Sequence, residues 1–123
     1  MEFEQTELMK LRNMIRVFVD ERDWNKFHTP KNLSMALSVE VAELVEHFQW
    51  LKTGDVEELS GDKLEQVRHE MADVLTYLIQ LADKLHIDLK EAVLEKMEIN
   101  RTKYPADKVR GDSRKYSDYK NEV

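Results

Sequence analysis

LSVEVAELVEHFQWL, residues 37–51, is the stretch whose reading decides the fold. At about 100° per residue, Leu37, Val41, Leu44, Phe48 and Leu51 fall in one apolar stripe of a helix. Glu40 and Glu43 lie on the flank of that stripe, on the side of Ala36 and His47, not opposite it. Glu46 does lie opposite and reads as a solvated residue. Thirty positions on, the pattern recurs in VRHEMADVLTYLIQL, residues 67–81. Val67, Met71, Val74, Leu78 and Leu81 form its stripe, and Glu70 and Asp73 hold the same flank register. Packed antiparallel, two such helices would gather four carboxylates at one seam.

The chain around this pair is short and polar. Its 123 residues suit one domain. With 41% hydrophobic and 36% charged residues, three Gly and two Pro, the composition favours helices over a turn-rich β fold. Cys is absent, which excludes disulfides, thiolate metal sites and Cys nucleophiles. No apolar run approaches the ~20 residues of a membrane span. MEFEQTELMK at the start lacks the apolar core of a secretory signal, so a cytoplasmic protein is expected. A net charge of −6 without a basic stripe argues against duplex nucleic acid as a partner, and no membrane partner is expected.

Four helices are expected. The first runs from about Glu4 to Glu21, with Leu8, Leu11, Ile15 and Phe18 in period. The second starts at Thr29-Pro30, a capping residue followed by a proline suited to the first turn, and reaches about Lys52. Gly54 is placed to follow it, and 56–59 form a short turn. Asp62-x-x-Glu65 opens the third, to Leu85 or His86, and Asp88-x-x-Glu91 opens the fourth, to Tyr104. Pro105 closes a domain spanning 1–105. Residues 106–123 are polar and aperiodic and read as a mobile tail. Arg110-Gly111-Asp112 matches an integrin-binding tripeptide and is taken as chance.

Carboxylates at i and i+3 share a helix face, about 5–6 Å apart at Cβ. Read blandly, each pair is a solvated stretch of helix. Matched on two helices at the seam edge, the four call for hard divalent cations. Without Cys and with few His, zinc fits poorly. No Glu-x-x-His is present, which argues against a di-iron bundle. A Mg²⁺ site open to water and phosphate, with Mn²⁺ as substitute, favours hydrolysis of a phosphate ester or anhydride. Lys96, Asn100 and Lys103 line one face of the fourth helix and suit phosphate or sugar, although such a set taken alone is more often a solvated face. Trp24, Phe27, His28 and Trp50 stand beside polar loops, where aromatics stack a base or simply pack.

At these residues the chain resembles the all-α MazG-like nucleotide pyrophosphohydrolases. RDWNKFHTPKNL (22–33), EVAELVEHFQW (40–50), HEMADVLTYL (69–78) and KMEINRTKYP (96–105), with a closing RKY at 114–116, are similar to the dCTP pyrophosphatase branch. The resemblance implies a bundle of four to five helices, assembled as a homodimer or as a homotetramer built from two dimers. It implies Mg²⁺-dependent cleavage of a nucleoside triphosphate between its α and β phosphates. Glu40, Glu43, Glu70 and Asp73 would hold the metal, with Glu40 or Glu43 activating the water. Trp24, His28, Trp50 and Tyr77 would surround the nucleoside. Lys96, Asn100 and Lys103 would contact phosphate or sugar. The branch carries a first-helix His where the spacing to RDW places Ile15, so a polar base contact is expected to be missing. Hydrolysis of dUTP or phosphoribosyl-ATP, and a helical module that binds nucleotide without turnover, are the rival readings.

Overall fold

The computed structural model describes residues 4–114 and Ser117, and the described residues are helical without strands. They fall into two compact units, Met1–Ile87 and Asp88–Val123.

The first unit holds three helices. α1 is Glu7–Glu21, later than the expected start because Thr6 caps it, accepting from the Met9 amide at 3.2 Å. A turn of 3-10 helix, Asn25–Phe27, leads to α2, Pro30–Glu46. Thr29 caps α2 as expected, accepting from the Asn32 amide at 3.2 Å, with Pro30 at the first helical position. α2 ends six residues before the expected Lys52. The His47, Phe48 and Leu51 amides turn to carbonyls three residues back, at 3.2, 2.9 and 2.9 Å. The Glu58 carboxylate then takes the amides of Lys52, Thr53 and Gly54 at 2.9, 2.8 and 3.1 Å, so these groups need no helix to satisfy them. Gly54 sits at φ +79, and a Cβ there would lie 2.8 Å from the Phe48 ring. Both facts demand glycine.

α3, Gly61–Lys84, starts ahead of the expected Asp62 cap. Ser60 occupies the cap position without a side-chain bond. The helix closes on His86 at φ +56, with Ile87 N bonded to the Ala82 carbonyl at 2.9 Å and His86 N to that of Asp83 at 3.2 Å. This is a Schellman ending, with His where glycine is usual. α2 packs chiefly on α3, and α1 also packs on α3. Val19, Leu33, Val67, Ile79 and Ala82 are the buried core. Arg16 joins α1 to α3 through two bonds to Asp83, at 2.8 and 2.5 Å. The expected seam is only half covered. Leu37, Leu44 and Val74 are partly buried, while Val41 and Met71 stay exposed. A stripe drawn from one helix cannot say which of its edges meets a neighbour.

In the second unit, α4 is Leu89–Lys103, capped by Asp88, which accepts from the Glu91 amide at 3.2 Å. Ala106–Val109 form a further turn of helix, α5, inside the stretch expected to be an aperiodic tail. Of the expected closing RKY, Lys115 and Tyr116 lie outside the described residues, as do 118–123. Among the described residues no helix is long and apolar enough to cross a membrane.

Candidate active site

The matched acid pairs converge. One carboxylate oxygen each from Glu40, Glu43 and Glu70 lies within 4.8 Å of the other two, and all three residues are half-buried. The arrangement follows from the flank register. On helices packed through their apolar stripes, side chains at the stripe edge face each other across the seam. Glu46, expected in solvent, is exposed.

The electrostatics are those of a crowded anionic site. Burial, the Glu43 charge, the Glu70 carboxyl and the Asp73 charge together push the Glu40 carboxyl up to about 7. Asp73 is therefore near enough to act on Glu40, although it stands outside the tight trio. Burial, then Glu40 and Asp73, raises the Tyr77 hydroxyl. Glu40 and Glu70 each keep a buried oxygen with no hydrogen-bond partner among the described residues. Unpaired buried carboxylate oxygens are costly unless something positive meets them. Hard oxygen donors with unfilled valence fit a divalent cation.

Beside Asp73 opens a cavity of about 520 Å³ between α1, the 22–28 segment and α3. Trp24, His28, Asp73 and Tyr77, all expected site residues, line it together with Ile15. The 22–28 segment folds back to make this possible. The Trp24 amide bonds the Val19 carbonyl at 3.2 Å, and its ring meets Phe18 edge-on at 5.8 Å between centroids. His28 lies beside the same indole at 6.3 Å, its Nδ1 buried without a partner among the described residues.

Trp50 is 88% exposed on the turn after α2 and does not line the cavity. Lys96, Asn100 and Lys103 lie on α4 of the second unit, with the Lys103 ammonium over the Tyr104 ring at 5.7 Å. Gln80 and Thr76 line the cavity and were not read from the sequence. The signal was present: Asp73, Tyr77 and Gln80 recur at i, i+4 and i+7, one face of α3.

Comparison with known proteins shows which family the chain is similar to. The model of the MazG-like family matches residues 35–119. The chain is 44% identical over 113 residues to dCTP pyrophosphatase 1 of Homo sapiens, covering 90% of this chain and 66% of the human protein. It is 42% identical to the Rattus norvegicus protein of that name over the same shares. The chain thus spans just under two thirds of the length of these relatives. Among solved structures, a pyrophosphatase from Archaeoglobus fulgidus is 44% identical, with a TM-score of 0.72, over 85% of this chain and 98% of that one.

Proposed function

This chain belongs to the MazG-like family, and we propose that it is a nucleoside triphosphate pyrophosphohydrolase, releasing pyrophosphate from dCTP-like or modified deoxynucleotides. The observation that carries the reading is the convergence of Glu40, Glu43 and Glu70, two of them with orphaned oxygens, beside an aromatic cavity. An anionic cluster next to a base-sized apolar space is what a nucleotide bound through a cation requires. The names of the relatives support the same chemistry.

Glu40, Glu43, Glu70 and Asp73 would hold the metal. Mg²⁺, or Mn²⁺ in its place, supplies charge neutralisation and Lewis acidity at the phosphates when bound. Glu40 or Glu43 takes a proton from water as the water oxygen bonds to the α-phosphorus. The bond from the α-phosphorus to the α–β bridging oxygen breaks, and that oxygen leaves with pyrophosphate. The Trp24 and Tyr77 rings hold the base, and His28 presents an imidazole nitrogen to it.

The working form is a homo-oligomer, a homodimer or a homotetramer. Met35, Val45 and Met71 are each more than half exposed, apolar side chains that a second copy would cover. Trp50 then serves the pocket of a neighbouring copy. A cytoplasmic location fits a deoxynucleotide substrate.

Pyrophosphate release across canonical and modified dNTPs, with and without Mg²⁺, tests the activity. Metal-dependent release of one pyrophosphate per nucleoside monophosphate is expected. Release of single phosphates, or no turnover of any nucleotide, would overturn it.

A further inference from the structure

The cavity wall is mostly hydrocarbon. Ile15, Phe18 and Ile79 contribute nothing that can hydrogen-bond through a side chain. Of its polar residues, Thr76 is already committed, its hydroxyl donating to the Ala72 carbonyl at 2.8 Å. Gln80 supplies the one side-chain amide among the lining residues, and it is half-buried. No hydrogen bond or ion pair engages that amide among the described residues. An amide on a half-buried residue of an apolar wall, without a protein partner of its own, is available to a ligand.

Its position on α3 says which part of the ligand. Asp73, Tyr77 and Gln80 follow one helix face, so the acidic cluster, an aromatic ring and the amide come in that order. At 1.5 Å rise per residue, Gln80 lies about 10 Å beyond Asp73 along the helix. A nucleotide with its phosphates at the acidic end and its ring against Tyr77 and Trp24 brings its base edge to Gln80. Resting on the nucleotide reading above, we propose that Gln80 reads the 4-position and N3 of the base in addition to the His28 contact, pairing its amide with that hydrogen-bonding edge of a pyrimidine.

The chemistry of the amide sets what is read. Glutamine offers a donor and an acceptor side by side. Cytosine presents a 4-amino donor beside the N3 acceptor; uracil presents a 4-oxo acceptor beside the N3–H donor. Because no intramolecular partner fixes which way the Gln80 amide faces, a half-turn matches it to either edge. Gln80 therefore demands a complete donor–acceptor edge without choosing between amino and oxo bases. A base lacking the 4-substituent leaves half of the amide unpaired, a loss of about tenfold in affinity.

The test is binding, kept separate from turnover. Dissociation constants are measured by calorimetry, with Mg²⁺, for α,β-imido analogues of dCTP, dUTP and the 2-pyrimidinone deoxynucleoside triphosphate. The wild-type protein is expected to bind the first two within about fivefold of each other and about tenfold tighter than the third. In Gln80→Met, nearly isosteric but without donor or strong acceptor, the three should converge to within about twofold. Gln80→Leu, checked for an unchanged melting temperature, should behave alike. A preference that survives both variants, a wild-type protein blind to the 4-substituent, a separation of dCTP from dUTP beyond tenfold, or no binding of any analogue would overturn the proposal. Wild-type binding with this pattern but no pyrophosphate release would instead overturn the hydrolase reading and leave Gln80 standing.

Discussion

Lys84, the last residue of α3, donates to the Asn25 side-chain oxygen at 3.0 Å and so ties that helix to the turn following α1. The Asn25 amide nitrogen in turn donates to Asp20 on α1. One side chain, between Trp24 and His28 in the sequence, thereby holds the 22–28 segment against two helices. Asn25→Ala removes both bonds. The groups are exposed, so the expected loss of stability is only about 1 kcal/mol. The expected functional effect is larger: KM should rise severalfold with kcat little changed, because the cavity wall loosens while the acids stay in place. Urea melts and steady-state kinetics check this. A kcat that falls in proportion, with KM constant, would show that the turn serves the chemistry and not the pocket.

The acid cluster should be indispensable for turnover and unnecessary for folding. Glu40→Gln and Asp73→Asn are expected to abolish pyrophosphate release while leaving the far-ultraviolet circular dichroism unchanged. Without metal, Glu40→Gln should melt higher than wild type, since it removes a charge that Glu43 and Asp73 oppose. Full activity in either variant would remove the assignment.

Glu40 also predicts a pH dependence. Its carboxyl is raised from 4.5 to about 7 in the folded chain, so folding favours the protonated form. Below 4.5 both folded and unfolded states carry the proton and this group contributes no slope. Between 4.5 and 7 the unfolded state loses its proton first, so metal-free stability should fall as pH rises, levelling off above 7. Thermal melts across that window measure it, and Glu40→Gln should lose the component. Mg²⁺ should reverse the trend at the upper end by binding the ionised cluster. At a hundred times its dissociation constant a ligand specific to the folded state adds about 2.7 kcal/mol. No shift with Mg²⁺, alone or with a nonhydrolysable dNTP, would count against the site.

Trp50 separates stacking from base reading. Trp50→Ala is expected to raise KM for every dNTP by about ten- to a hundredfold, since stacking contributes about 1–3 kcal/mol per base and every base has a face. The ratio among bases should hold. At low substrate, mixing Trp50→Ala subunits with inactive Glu40→Gln subunits should restore activity if one chain lends its tryptophan to another's acids. An unchanged KM would make Trp50 a packing residue.

Much of this molecule is written in local sequence. Thr29-Pro30 starts α2 and Asp88 starts α4 because capping is settled by residues three apart. That Glu40 and Glu43 share one flank, and Glu70 and Asp73 the matching one, follows from helical periodicity; that Glu40, Glu43 and Glu70 meet needs the packing of α2 on α3. Where a distant group intervenes, local reading stops. α2 ends at Glu46, not near Lys52, because Glu58, coming from beyond the turn, satisfies the amides that a longer helix would have used. The gathering of Trp24, His28 and Tyr77 at one cavity, with Trp50 left in solvent, depends on the fold-back of 22–28 and its anchor on Lys84. Gln80 gained its meaning only there, because an amide is ordinary on a helix surface and becomes a reader of bases only when it lines a largely apolar cavity. Periodicity determined which residues share a face; tertiary packing decided which faces enclose a site, since that depends on contacts between residues far apart in the chain.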